Sequence, residues 1–276
     1  MKVAIVGVGL MGGSIGLCIK KRGLADVVIG IGRSRERLLT AKERGAVDEI
    51  TEDLRRVEDA DLVFLATPIL SIIEIGKKIA EWVDSSIVTD VGSTKREIVE
   101  ALTPIIPRFV GTHPMAGSHK SGPESASPSL FDGSVTVITP VETTEISAKS
   151  KIEALWREMG TDVAELSPEE HDRLVAISSH IPHILSFCLV NLAEREKEIE
   201  PVLSTGFCDM ARLSLSEPSM WKDIALSNRD NILRGLGEIK GIIDEWQGLI
   251  KKEDGLLERI ADAKREAERL IGGRYG

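Results

Sequence analysis

A chain of 276 residues exceeds one typical domain and can bury two cores without disulfide or metal staples. Hydrophobic residues make up 42% and charged ones 29%, which excludes a disordered or fibrous chain. A formal net charge of -9 argues against nucleic acid as a partner, since binding a phosphate backbone rests on a positive footprint.

Three cysteines, Cys18, Cys188 and Cys208, are odd in number, widely spaced and without a CxxC pair. They indicate neither a disulfide framework nor a zinc site, and a reducing cytoplasm is the expected compartment. The apolar start runs directly into a glycine loop without a cleavage pattern, so it reads as a first strand rather than a signal peptide.

Up to residue 166, short β-branched runs alternate with helical patterns, the signature of βαβ units and a parallel sheet. Strands are expected at 3–6, 27–31, 62–66, 87–89 and 109–111, with further ones at 135–138 and near Val163. Ser34 caps a helix that stops near Gly45, and Thr67-Pro68 opens another whose Ile69, Ile72, Ile73 and Ile79 share a face. Ser167-Pro168-Glu169-Glu170 reads as an N-cap, a proline in the first turn and acids at the positive helix end. A Rossmann-type α/β domain over 1–166 and an all-α domain over 167–276 are therefore expected.

Helix breaks are expected near Pro182, Pro201 and Pro218, with a charged last helix over 254–270. The apolar stretch 174–193 is interrupted by His180, Pro182, His183 and Asn191, so it reads as a buried helix and not as a membrane span. Apolar residues on more than one helix face point to a homodimer through the helical domain, although a single large core could absorb the same surface.

The first strand is followed at once by Gly7-Val8-Gly9-Leu10-Met11-Gly12, and helical periodicity begins with Met11, Ile15 and Ile19. In that context GxGxxG is a dinucleotide-binding loop: a tight turn, a close backbone approach for pyrophosphate, and close helix packing. The second strand ends in Gly32-Arg33-Ser34, where an acid would otherwise receive the adenosine ribose. Gly32 leaves room for a 2′-phosphate and Arg33 offers it a forked contact, so NADP is the first expectation. Arg33, Arg35 and Arg37 also read as a solvated helix start, which leaves NAD open.

Two further loops reach the sheet edge where open α/β folds place ligands: Asp90-Val91-Gly92-Ser93-Thr94-Lys95 and Gly111-Thr112-His113-Pro114-Met115-Ala116-Gly117-Ser118. His113 at a strand end has the placement of a general base, and Ser93 brings a hydroxyl to the same edge. His180 and His183, three apart, face one side of a helix, from which they reach substrate or simply pack a core. Arg212 reads as an anion clamp or as a surface charge near Asp209, and His171-Asp172 at a helix start as a gate.

These segments resemble the prephenate dehydrogenase family, which includes arogenate dehydrogenases. The resemblance runs through the glycine loop, Ala66-Thr67-Pro68, residues 90–95, GTHPMAGSHKSG at 111–122, SHIPH at 179–183 and residues 206–221. It implies NAD(P)-dependent oxidative decarboxylation of prephenate to 4-hydroxyphenylpyruvate in tyrosine biosynthesis, with no metal. By resemblance His113 takes the ring hydroxyl's proton, Ser93 orients His113 or that hydroxyl, and His183, Arg212, His180 and Ser118 meet the substrate. Gly7, Val8, Gly9, Leu10, Met11, Gly12, Gly32, Arg33, Ser34, Ala66, Thr67, Pro68 and Gly92 hold the cofactor. His119 departs from the polar or acidic residue found in relatives, which leaves its part in substrate selection open. No chorismate mutase segment is expected before Met1, and no typical ACT domain after the helices within 276 residues. A β-hydroxyacid or imino-acid reductase commonly uses a lysine in its second domain, and 168–193 contains none. A nucleotide-sensing regulatory protein would not need Ser93, His113, His183 and Arg212 together.

Overall fold

In the computed structural model, which describes residues 1–118 and 120–272, the chain opens with β1 (Lys2–Val6), α1 (Leu10–Arg22), β2 (Val27–Ile31), α2 (Arg35–Glu43) and β3 (Glu49–Thr51). It continues through β4 (Leu62–Leu65), α3 (Ile69–Ile79), β5 (Ile87–Asp90), α4 (Arg96–Leu102), β6 (Phe109–Val110) and β7 (Thr112–Pro114). Then come β8 (Val135–Ile138), α5 (Ile146–Glu158), β9 (Asp162–Glu165), α6 (Pro168–Val175), a π-helical turn Ala176–His180, and α7 (Ile181–Ala193). Four α-helices follow among the described residues: α8 (Thr205–Ala211), α9 (Pro218–Ser227), α10 (Arg229–Lys252) and α11 (Leu256–Ile271).

The first six strands form one parallel sheet in the order β3-β2-β1-β4-β5-β6. Its central strands are near-continuous apolar runs, VAIV in β1 and LVFL in β4, because helices cover both faces. The strand order reverses between β1 and β4, and the carboxyl ends of those two strands open the crevice in which such sheets bind ligands. On one face Trp156 is fully buried, edge-on to Phe64 (6.0 Å) and Phe131 (5.3 Å). On the other, Ile69, Ile72 and Ile79 of α3 pack with Trp221 and Ile224 of α9.

Three features differ from expectation. The strands expected at 135–138 and near Val163 are present, but they stand apart from the parallel sheet: β7, β8 and β9 form a second sheet of three strands, β7 antiparallel to β8 and β8 parallel to β9. His113 therefore sits inside a strand, opposite Val137, and not in a loop. Nor does Pro182 break its helix. The backbone runs helically from Pro168 to Ala193, because the π turn just before it absorbs the hydrogen bond that proline cannot donate.

The same helix is long and apolar enough to cross a membrane by length and composition, yet only 28% of its apolar window is buried. The expectation of a buried helix holds for one face alone, which carries Val175, Ala176, His180, Ile181 and Ser186. Ser167 caps α6 as expected: its hydroxyl accepts from the Glu170 amide (3.2 Å), and Glu170 accepts from the Ser167 amide (3.3 Å).

The chain forms two compact units, Met1–Asn231 and the residues from Ile232 on. The second contains most of α10 together with α11, joined through Gly255 in the left-handed region (φ 72°). Within it the Arg259 guanidinium lies 3.7 Å from Glu245.

Candidate active site

At the sheet's reversal point lies a cleft of about 420 Å³. Its lining includes Gly7, Val8, Gly9, Gly32, Arg33, Ser34, Ala66, Thr67 and Pro68. Gly7 turns the chain out of β1 at φ +96°, and a Cβ there would meet the Ala66 carbonyl at 2.6 Å. Gly12 lets α1 close on that turn, since a Cβ would fall 2.0 Å from the Gly7 carbonyl. Gly9 faces open space, with no atom within 4 Å of where a Cβ would stand. A dinucleotide fits this cradle: the space is held open by glycine, and the Thr67 hydroxyl is buried at its wall without a hydrogen-bond partner.

Leu10, Met11, Gly12 and Gly92 do not line the cleft. Gly12 acts through packing, and the Gly92 amide is turned inward to the Asp90 carboxylate at 2.8 Å. Arg37, Glu52, Glu74 and Lys78 do line it, of which only Arg37 stands out in the sequence, as part of a solvated helix start. Their distance from the glycine loop in sequence hid the rest.

A second group of residues gathers where β5 and β7 end. Asp90 and Lys95 form an ion pair with both side chains 0% exposed. Burial pushes the Asp90 carboxyl up and the Lys95 ammonium down, each against the pull of its partner's charge. The Lys95 ammonium also donates to the Thr112 carbonyl (2.7 Å), which ties the 90–95 loop to β7 one residue before His113.

His113 is partly buried, and its Nδ1 lies 2.8 Å from His171 Nε2. His171 Nδ1 in turn lies 2.8 Å from Asp172 Oδ1. That carboxylate also accepts the backbone amides of Lys95 (2.7 Å) and Arg96 (3.0 Å), which pins α6 to the start of α4. Burial holds His113 well below the ordinary imidazole range, helped by His171, Lys95 and His180. It lowers His171 as well, against the Asp172 hydrogen bond. His171 and Asp172 are 0% and 2% exposed, so they stand behind His113 and not at a gate. Ser93 is half-buried in the neighbouring loop; among the described residues the partner of His113 Nδ1 is His171.

His180 and His183 frame Trp221. His183 stacks on its ring at 3.7 Å and 25°, and His180 meets it edge-on at 6.0 Å. The Ser179 carbonyl can only accept, so His183 Nδ1 donates to it (2.9 Å), leaving Nε2 with a lone pair. His180 is the reverse case. The Asn228 amide donates to its Nδ1 (3.1 Å) and to the Asp172 carbonyl (2.7 Å), while the Asn228 carbonyl accepts from Asn231 (2.8 Å). Burial holds His180 neutral, its pKa lowered to about 4.

Arg212 is exposed, and no carboxylate of the described residues pairs with it, Asp209 included. After burial, its charge is what lowers the proton affinity of His183. Ser118 is exposed and accepts from the Lys120 amide (3.2 Å). His119 lies outside the described residues. Asn228 and Trp221 as neighbours of the histidines, and the link from His171 to His113, are not legible in the sequence, because these contacts join separate elements 38 to 58 residues apart.

Comparison with known proteins agrees with this architecture. Residues 15–165 match the family model described as prephenate dehydrogenase, nucleotide-binding domain, and residues 167–262 match that described as prephenate dehydrogenase, dimerization domain. The chain is 35% identical to the prephenate dehydrogenase of Bacillus subtilis over 91% of its length and 71% of the relative's. Its fold superposes on that of the A. aeolicus prephenate dehydrogenase in complex with hydroxyphenyl propionate and NAD+ with a TM-score of 0.92, at 32% identity and 98% coverage of both chains. The Synechocystis arogenate dehydrogenase follows at a TM-score of 0.85 and 29% identity, covering 98% of this chain and 99% of that one. With both family models matched in series over most of its length, the chain belongs to the prephenate dehydrogenase family.

Proposed function

We propose that the chain oxidises prephenate to 4-hydroxyphenylpyruvate with loss of carbon dioxide, using a nicotinamide dinucleotide, a step of tyrosine biosynthesis. The observation that carries this reading is His113: one ring nitrogen is engaged by His171, and no described residue occupies the other. Bound NAD(P) supplies the hydride acceptor. His113 Nε2 takes the proton of the ring hydroxyl, and a neutral imidazole, held so by burial, is ready to do this at neutral pH. Arg212 clamps a substrate carboxylate, His183 lies against the substrate side chain, and His180 keeps Trp221 in place beneath His183. Loss of carbon dioxide makes the ring aromatic, so the protein's work is positioning and charge stabilisation. Ser93 contributes a hydroxyl from the adjacent loop, and Ser118 one from the exposed segment after β7.

NADP is the proposed cofactor. Gly32, Arg33, Ser34 and Arg37 border the cleft where β2 ends, an arrangement that favours a 2′-phosphate over a bare ribose. Glu52 borders the same cleft and weighs toward NAD. The proposed division of labour is nucleotide binding by 1–166 and substrate binding with homodimer formation by 167–276. Support comes from the junction between the two family models and from exposed apolar side chains such as Ile177 (58%), Leu192 (60%) and Leu215 (69%). The three cysteines are free thiols, which suits the cytoplasm. Steady-state formation of reduced nicotinamide, with prephenate and arogenate each crossed with NADP and NAD, tests the reading. Prephenate with NADP is expected to be fastest, and no reduction in any combination would overturn it.

A further inference from the structure

The histidine at the centre of the site does not stand alone. His113, His171 and Asp172 form an unbroken row, 2.8 Å at each step, and the two rear members are withdrawn from solvent. The donor and acceptor roles along the row follow from its far end. A carboxylate oxygen accepts, so His171 carries its proton on Nδ1. A neutral imidazole with Nδ1–H has only a lone pair at Nε2, so His171 Nε2 accepts from His113 Nδ1–H. The remaining lone pair of His113 is then on Nε2. Asp172 is in turn fixed by the amides of Lys95 and Arg96, and its own backbone carbonyl by Asn228, so the row begins from an anchored group.

We propose that Asp172 and His171 are positioning residues that lock His113 in the Nδ1–H tautomer and receive its positive charge when it takes a proton on Nε2. The inference rests on His113 being the base of the reaction. The step balances. The substrate hydroxyl proton moves to His113 Nε2, the His113 Nδ1 proton moves to His171 Nε2, and the charge comes to rest on an imidazolium bonded to the Asp172 carboxylate. His113 is left neutral, and no oxidant or further reactant is needed. Burial makes this arrangement valuable, because a lone imidazolium at His113 would face the Lys95 ammonium with only its paired Asp90 to offset it. The other titratable neighbour, His180, is held neutral on the far side of Asn228.

The test begins with the unaltered protein. Nitrogen-15 spectra of its histidines, with His113→Asn and His171→Gln used for assignment, are expected to show His113, His171 and His183 protonated on Nδ1 and His180 on Nε2. A His113 that carries its proton on Nε2 would overturn the proposal whatever the variants do. His171→Leu removes the acceptor and is expected to lower kcat between about 10-fold and 10⁴-fold, the range from loss of an outer hydrogen-bond partner to a base in the wrong tautomer. KM for substrate and cofactor should change little, and the His113 signal should shift toward the Nε2–H form. His171→Gln keeps a carbonyl acceptor near the lost Nε2 and should recover much of the rate. Full kcat in His171→Leu, or equal losses in the Leu and Gln variants with unchanged His113 spectra, would refute the positioning role. Failure of the base assignment is read separately: a near-normal rate in His113→Asn removes the base while the wild-type tautomer result still stands.

Discussion

Replacing Lys95 with methionine probes the clamp on which β7 rests. Both members of the Asp90–Lys95 pair are wholly buried, and the ammonium makes two contacts, to Asp90 and to the Thr112 carbonyl. Methionine preserves most of the volume and the backbone amide that Asp172 accepts, so the change isolates the charge. Breaking a buried pair by removing one partner costs about 3–5 kcal/mol, because the remaining charge is left uncompensated. At about 2–4 °C per kcal/mol for a chain of this size, the melting temperature should fall by roughly 6–20 °C. The Asp90 carboxylate keeps its bonds from the Gly92 amide (2.8 Å) and the Thr112 amide (3.3 Å), which places the expected loss toward the lower end. The double variant Asp90→Asn with Lys95→Met removes both charges and should be more stable than additivity allows, by about 1–3 kcal/mol. Urea and thermal denaturation followed by circular dichroism measure the four proteins of the cycle: wild type, each single variant and the double variant. A Lys95→Met loss below about 1 kcal/mol, or strict additivity in the cycle, would show that the pair does not hold this loop.

His113→Asn should cut turnover by about 10²–10⁴, the scale of a general base, with cofactor affinity unchanged by fluorescence titration. Arg33→Ala should weaken NADP far more than NAD in the same titration, and equal effects on both would reduce Arg33 to surface charge. The neutral burial of His180, with its pKa lowered to about 4 from 6.5, makes the folded state bind fewer protons than the unfolded chain between those values. Stability is therefore fully present above pH 6.5 and falls as pH drops toward 4, by about 3 kcal/mol from this residue alone. His113, His171 and His183 shift in the same direction, so the reading is the difference between wild type and His180→Gln in denaturation midpoints from pH 7 to 4. An identical slope in the two proteins would remove His180 as a source of acid sensitivity.

The sheet and the glycine loop were legible because their signals are local. A continuous apolar run is a buried strand wherever it lies, and GxGxxG has meaning only just behind one, which is where Gly7 falls. The Ser167 cap was readable for the same reason, all its partners lying within four residues. What escaped was non-local. His113 reads as a loop residue because its strand is three residues long and its partner there, Val137, lies 24 positions away. The contact to His171 spans 58 positions, and nothing in a composition or period announces it. Pro182 reads as a break because proline ends most helices, and only the widened turn before it removes the conflict.

That widened turn also sets the bearing of everything after it. An α-helix advances each residue by about 100°, so His183, twelve positions beyond His171, would point roughly 120° away from it on an unbroken spiral. A π turn absorbs one extra residue without advancing the angle, which brings the two imidazoles to within about 20° on the same flank. Deleting a single residue between Ala176 and His180 would thus restore an unbroken α-helix with the two rings still on one flank, whereas drawing all twelve positions into α form would swing the Trp221-stacked ring about 100° round the rod. What looks like a flaw in the spiral is the form in which the helix carries an extra amino acid without turning one end of the candidate site away from the other.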